Sequence, residues 1–183
     1  MLINTVIRKI PQSVLMLGLA GYLPLAAAQE KGYSEIYYMN LDMKTTGTNK
    51  YSAKPPAVQL RLGTTFQKYL GLEGVFAFGV SDDEFTTGVS GKLNTLFGAN
   101  AVGILPLAEK ADILARVGFA QMEVDFGDKS YDDTGIMFSV GFDIRVSRYG
   151  AVAMEYMQLP DIDLNAGNKL ETSSINLGYR LRF

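Results

Sequence analysis

From Gly32 to Phe183 the chain alternates apolar and polar residues with a period of two, broken by segments rich in Asp, Gly, Thr, Asn and Lys. That period is the repeat of a β-strand, whose successive side chains point to opposite faces. Eight such stretches are legible, over about 33–44, 57–66, 72–81, 92–105, 112–124, 135–146, 151–158 and 173–183. Their length is near the roughly 9–11 residues with which a tilted strand crosses a bilayer. The connections alternate in length. Residues 67–71, 106–111 and 147–150 are short; 45–56, 82–91, 125–134 and 159–172 are longer. Short turns at one end and long loops at the other are the outer-membrane pattern, with the short turns periplasmic. An even strand number then puts both termini in the periplasm.

Which face is apolar decides the solvent. One face carries Tyr37, Met39, Leu41 and Met43 on strand one, and Val58, Leu60, Leu62, Thr64 and Phe66 on strand two. It continues through Phe76 and Phe78, Phe97, Val117 and Phe119, then Phe138, Val140 and Phe142. Met154, Tyr156, Ile175, Leu177, Tyr179, Leu181 and Phe183 complete it. The other face carries Asp42, Arg61, Glu73, Arg116, Asp143, Arg145, Glu155, Arg180 and Arg182, interleaved with small residues such as Gly63, Ala77, Gly118, Ser139 and Gly178. A soluble sandwich or lipocalin-like barrel hides its apolar face inside, and a membrane barrel shows it to lipid. Charged residues beside small ones fit a narrow closed lumen. The expected fold is therefore all-β, an eight-stranded antiparallel up-and-down transmembrane β-barrel occupying 29–183.

Residues 1–28 read as a cleaved signal peptide. Arg8 and Lys9 precede an apolar run from Val14 to Leu25, and Ala26-Ala27-Ala28 offers the cleavage site. A membrane anchor is the alternative, but the run is short for a span. The chain has no Cys and no His. Disulfides, thiolate sites, Ser-His-Asp triads and the H-E-x-x-H zinc motif are excluded. A small negative net charge of −2 gives no basic field for nucleic acid.

The chain closes on Ile175-Asn-Leu-Gly-Tyr-Arg-Leu-Arg-Phe183. This resembles the signal by which outer-membrane barrels are recognised for assembly, with Tyr179, Leu181 and Phe183 as its alternate residues. Tyr69-Leu-Gly-Leu-Glu-Gly74, Phe97-Gly98, Ile104-Leu-Pro-Leu107, Ala115-Arg-Val-Gly118 and Met154-Glu-Tyr156 are similar to pieces of the outer membrane protein β-barrel domain family. That family includes opacity-type surface proteins and porin-family proteins related to the OmpA membrane domain. The chain departs from it in having no Trp for aromatic girdles. The resemblance implies a Gram-negative outer-membrane location. It also implies a monomer contacting lipid and lipopolysaccharide, with the barrel-assembly machinery a partner during biogenesis. Barrel enzymes of that membrane use a catalytic His, so no activity and no cofactor is expected.

Two functional readings remain open: a surface or structural barrel whose acidic loops meet a partner, and a small porin-like channel for ions or solutes. They differ in lumen filling. Arg61, Glu73, Arg116, Asp143, Arg145, Glu155, Arg180 and Arg182 are expected to form one inward charge network, because isolated buried charges are costly. Glu155 shares inward parity with Arg145 and Arg180 on neighbouring strands, so these three are expected to meet near the periplasmic mouth. Asp161-x-Asp163-x-Asn165-Ala-Gly167 is a poor calcium loop: its Gly is one place late, and Thr172 stands where a bidentate Glu belongs. A solvated loop is expected there, and no metal site.

Overall fold

The structure, a computed structural model, describes residues 31–46, 50–86, 88–165 and 168–183. The expected signal peptide lies outside the described residues. In chain order the strands are β1 (Lys31–Thr46), β2 (Ser52–Ala53), β3 (Pro56–Gln67), β4 (Leu70–Gly79), β5 (Asp83–Thr86), β6 (Val89–Ala108), β7 (Ala111–Phe126), β8 (Lys129–Arg145), β9 (Gly150–Gln158), β10 (Ile162–Asn165) and β11 (Asn168–Arg182). The eight long ones pair antiparallel in the order β1, β3, β4, β6, β7, β8, β9, β11, and β11 returns to β1. That last seam runs without a break from Tyr33 opposite Arg182 to Thr46 opposite Lys169. Closure leaves the ring no unpaired edge, the condition for a sheet to persist in lipid.

At one end the strands meet in short turns; the other end carries the loops. The short strands belong to that second end, where β2 pairs β1, β5 pairs β6 and β10 pairs β11. The expected loop 125–134 is mostly strand. β7 and β8 run on until only Gly127 and Asp128 turn the chain, with Gly127 at φ +60°. Polar residues here, such as Ser130, Asp132 and Thr134, do not signal a loop. They are the outer face of strands that have left the membrane.

The outer wall shows this change of solvent directly. On β8, Ile136, Phe138, Val140, Phe142 and Ile144 are exposed, and Val146 continues the series just past the strand. Toward the loops, Thr134 and Asp132 take the same outward positions. On β7 the outward series passes from Val117 and Phe119 to Gln121, Glu123 and Asp125, while Met122 and Val124 turn inward and are fully buried. On β11 it passes from Ile175 to Ser173 and Glu171. Alternation thus inverts within one strand, because the outside changes from hydrocarbon to water. Ile136 to Val146 spans about 34 Å of strand at about 3.4 Å per residue. At a tilt of about 40° that gives about 26 Å, the height of an outer-membrane barrel's apolar band.

Seven long strands carry the expected outward face. β1 does not. Tyr37, Met39, Leu41 and Met43 are buried inside the barrel, and Ile36 and Tyr38 face out at 52% and 57% exposure. Asp42, expected inside, lies on the outer face with Lys44. The reason is Glu35, which shares parity with Tyr37. Facing Tyr37 to lipid would drag a carboxylate into hydrocarbon. The inward turn seats the Tyr37 ring over Gly178, where a Cβ would collide with the ring and with the Ile36 carbonyl.

The interior has two zones. Toward the turns it is charged. Toward the loops it is an apolar core of Met39, Leu41, Met43, Leu93, Leu96, Met122, Met137 and Met157, capped by Phe85, Leu159, Ile162 and Leu170. Phe126 packs against Phe85 with ring centroids 4.9 Å apart and planes tilted by 57°.

Candidate functional site: the barrel interior

Inward positions on strands of opposite sides of the ring bring five carboxylates and five guanidinium groups into one connected cluster. Arg116 on β7 is its hub. Its Nε donates to Glu73 at 2.8 Å, its Nη1 to Glu155 at 2.9 Å and its Nη2 to both oxygens of Glu35 at 3.1 Å. Arg61 donates to Glu155 through both terminal nitrogens, Nη1 at 3.0 Å, and reaches Glu35 at 3.4 Å. Planar guanidinium groups suit this work because each offers several donors in a fixed fork.

The cluster continues toward the turns. Arg180 donates through Nε to Glu35 at 2.5 Å and through Nη1 to Asp143 at 2.8 Å. Arg182 links Asp143, at 2.9 Å, to Asp112, at 3.5 Å. Arg145 donates to both oxygens of Asp112, at 3.0 and 3.1 Å. Neutral side chains complete the shell. The Tyr33 hydroxyl donates to Glu73 at 2.7 Å, and Asn176 and Ser139 donate to Glu155 at 2.8 and 3.2 Å. Tyr33 and Tyr37 lay their rings under Arg180 and Arg61, with guanidinium carbons 4.6 and 4.8 Å from the ring centroids. Arg61, Glu73, Arg116, Asp143, Glu155 and Arg180 are buried, whereas Arg145 and Arg182 keep 35% and 25% of their side chains exposed at the mouth.

The expected trio of Glu155, Arg145 and Arg180 does not form. Glu155 stands opposite Asn176 on β11 and opposite Gly141 on β8. Arg180 and Arg145 each lie four residues farther toward the turns, about 14 Å along the strand at about 3.4 Å per residue. Glu155 is held instead by arginines from β3 and β7, across the lumen. Parity says which side chains point inward; stagger says at what depth.

Glu35, Asp112 and Tyr33 escaped the sequence reading, and Tyr37, expected on the outer face, lies inside. Glu35 and Asp112 carried a usable signal: each has the parity of an arginine or acid on the same or adjoining strand. The residues of the terminal signal face outward, with Tyr179 at 37%, Leu181 at 50% and Phe183 at 76% exposure. The Phe183 amide donates to the Gly32 carbonyl at 2.9 Å, and its ring covers Gly32. The acids of the loops serve local bonds. Asp83 accepts from the Lys54 amide at 2.6 Å, Asp125 from Asn94 at 2.8 Å and Ser130 at 2.5 Å, and Asp163 sits 3.7 Å from Lys169. Among the described residues no three acids come together to hold a metal ion.

The chain from 13 to 183 matches the family model described as outer membrane protein beta-barrel domain. No curated protein matches it. Several solved barrels share its fold. Ail of Yersinia pestis, seen in complex with the heparin analogue sucrose octasulfate, is 17% identical; the match covers 84% of this chain and all of that one, with a TM-score of 0.57. Neisserial surface protein A is 16% identical over 86% of this chain and 99% of its own, with a TM-score of 0.58. OprG of Pseudomonas aeruginosa is 12% identical over 82% and 95%, with a TM-score of 0.52. At such identities the likeness is one of fold.

Proposed function

Because the chain belongs to the outer membrane protein beta-barrel domain family, we propose that it is a non-enzymatic, monomeric surface or structural barrel with a closed lumen. Its short turns and both termini face the periplasm, and its loops face outward toward lipopolysaccharide or another partner. The observation that carries this reading is the filling of the interior along its length. A charge network occupies the half toward the turns and an apolar core the half toward the loops. An ion would have to strip its hydration to pass the methionines and then displace paired arginines. The purified protein in a planar bilayer should therefore show no steady conductance. A persistent open level at low voltage would favour the porin-like reading instead.

Assembly supplies a second test. Phe183 seals the β1–β11 seam at Gly32 while its ring stays exposed. Its packing on Gly32 is replaceable, but a receptor that reads the ring has no substitute. Deleting Phe183 should reduce outer-membrane levels in cells several-fold more than it reduces stability in detergent. Normal levels of the truncated protein would argue against recognition of the terminal residue.

A further inference from the structure

The outer wall is interrupted by a polar notch where the apolar band ends. A cavity of about 140 Å³ opens on the β1–β11 seam, lined by Asn40, Asp42, Lys54, Tyr156, Ser173 and Ile175. Ile175 and Tyr156 are the last band residues on their strands, exposed at 53% and 45%. Asn40 stands opposite Ile175 at the same level, and Asp42 and Ser173, opposite one another, stand one outward position nearer the loops. A molecule lying here would have its chains in hydrocarbon and its head in water.

The chemistry of the notch is selective. Asp42 holds the Lys44 ammonium through Oδ2 at 2.6 Å, while its Oδ1 is buried and has no hydrogen-bond donor. A buried carboxylate oxygen without a donor is costly, and a ligand that donates a hydrogen bond removes that cost. Asn40 and Ser173 add amide and hydroxyl groups, and the exposed Tyr156 ring adds a flat apolar face. Lys54 lines the opening, and the Lys44 ammonium, held by Asp42 and opposite Glu171 across the seam, stands beside it. Acceptors, donors, a ring face and cations together suit a sugar ring bearing hydroxyl or amide N–H groups and a phosphate. A plain phosphodiester offers the lone oxygen of Asp42 no such donor and meets its negative charge.

We propose that this notch binds the phosphorylated sugar headgroup of an outer-leaflet glycolipid, its acyl chains running down over Ile175. The proposal rests on the orientation given above, with the loops outside. It gives the lipid contact a fixed address on the barrel.

The test uses the folded barrel in detergent, titrated with a diphosphorylated glucosamine-disaccharide lipid or with phosphatidylmethanol, an anionic phosphodiester without a hydroxyl, bound lipid being read by native mass spectrometry. The glycolipid should bind at lower concentration than phosphatidylmethanol. Lys54→Ala should weaken it about fivefold, the effect of one lysine near an anionic surface, and Lys129→Ala, away from the notch, should not. Asp42→Ala is decisive. Loss of the acceptor should weaken glycolipid binding, whereas simple attraction to lysines would strengthen it. Stronger binding by Asp42→Ala, or equal binding of the two lipids, overturns the proposal. Orientation is read separately. The chain has no Cys, so Asp128→Cys on the β7–β8 turn should react with an impermeant maleimide on intact cells. Labelling without glycolipid binding condemns the notch alone; labelling only after the outer membrane is broken condemns the orientation and the glycolipid with it.

Discussion

Replacing Arg116 by Met should destabilise the barrel by about 3–5 kcal/mol, the usual result of removing one partner from a buried ionic cluster. Arg116 bonds Glu35, Glu73 and Glu155, all three buried. Without it, Glu35 and Glu155 share Arg61 and Arg180, and Glu73 keeps only the Tyr33 hydroxyl. The loss comes from charge left without a partner, so a second change that removes charge should return part of it. Arg116→Met with Glu73→Gln should be more stable than Arg116→Met alone, the signature of coupling between contacting sites. Urea unfolding in lipid vesicles, followed by circular dichroism, gives both numbers. A loss below about 1 kcal/mol would be that of a solvated pair and would mean that water fills the cluster. The variant should remain non-conducting, since the apolar core is untouched.

Val140→Arg should cost about 2–4 kcal/mol, while Thr134→Arg on the same face of the same strand should cost about 0–1. Val140, 53% exposed, lies near the middle of the apolar series from Ile136 to Val146. Thr134 points the same way but stands beyond the band, beside Gln121 of β7. Strand, face and introduced group are shared, so the difference isolates the solvent. Equal effects on unfolding in vesicles would place the hydrocarbon boundary elsewhere and remove the basis for reading alternation as inverted above Ile136.

How much of this was legible in the sequence follows from what alternation encodes. Where a strand carries one clear polarity, parity alone orients it, and β3, β4, β6, β7, β8, β9 and β11 face as their patterns imply. On β1 the odd positions from Tyr37 to Met43 are apolar, while the even ones pass from Ile36 and Tyr38 to Asn40, Asp42 and Lys44, so parity alone does not orient the strand. There the choice fell to Glu35, whose partner Arg180 lies 145 residues away. The polar stretch 125–134 misled for a related reason: outside the membrane a strand's outer face is polar, and local composition cannot say where the membrane stops.

By itself the sequence determined the class of fold, the number of long strands and which residues meet lipid on most of them. These depend on a period of two and on the solvent outside, both of which act locally. Only the tertiary structure decided which arginines hold Glu155, that Asp42 belongs to the outer wall, and that the half toward the loops is an apolar core. Those depend on the stagger of eight strands around a closed ring, where a shift of four residues moves a charge by about 14 Å. No run within a single strand carries that shift; it is set only when β11 meets β1.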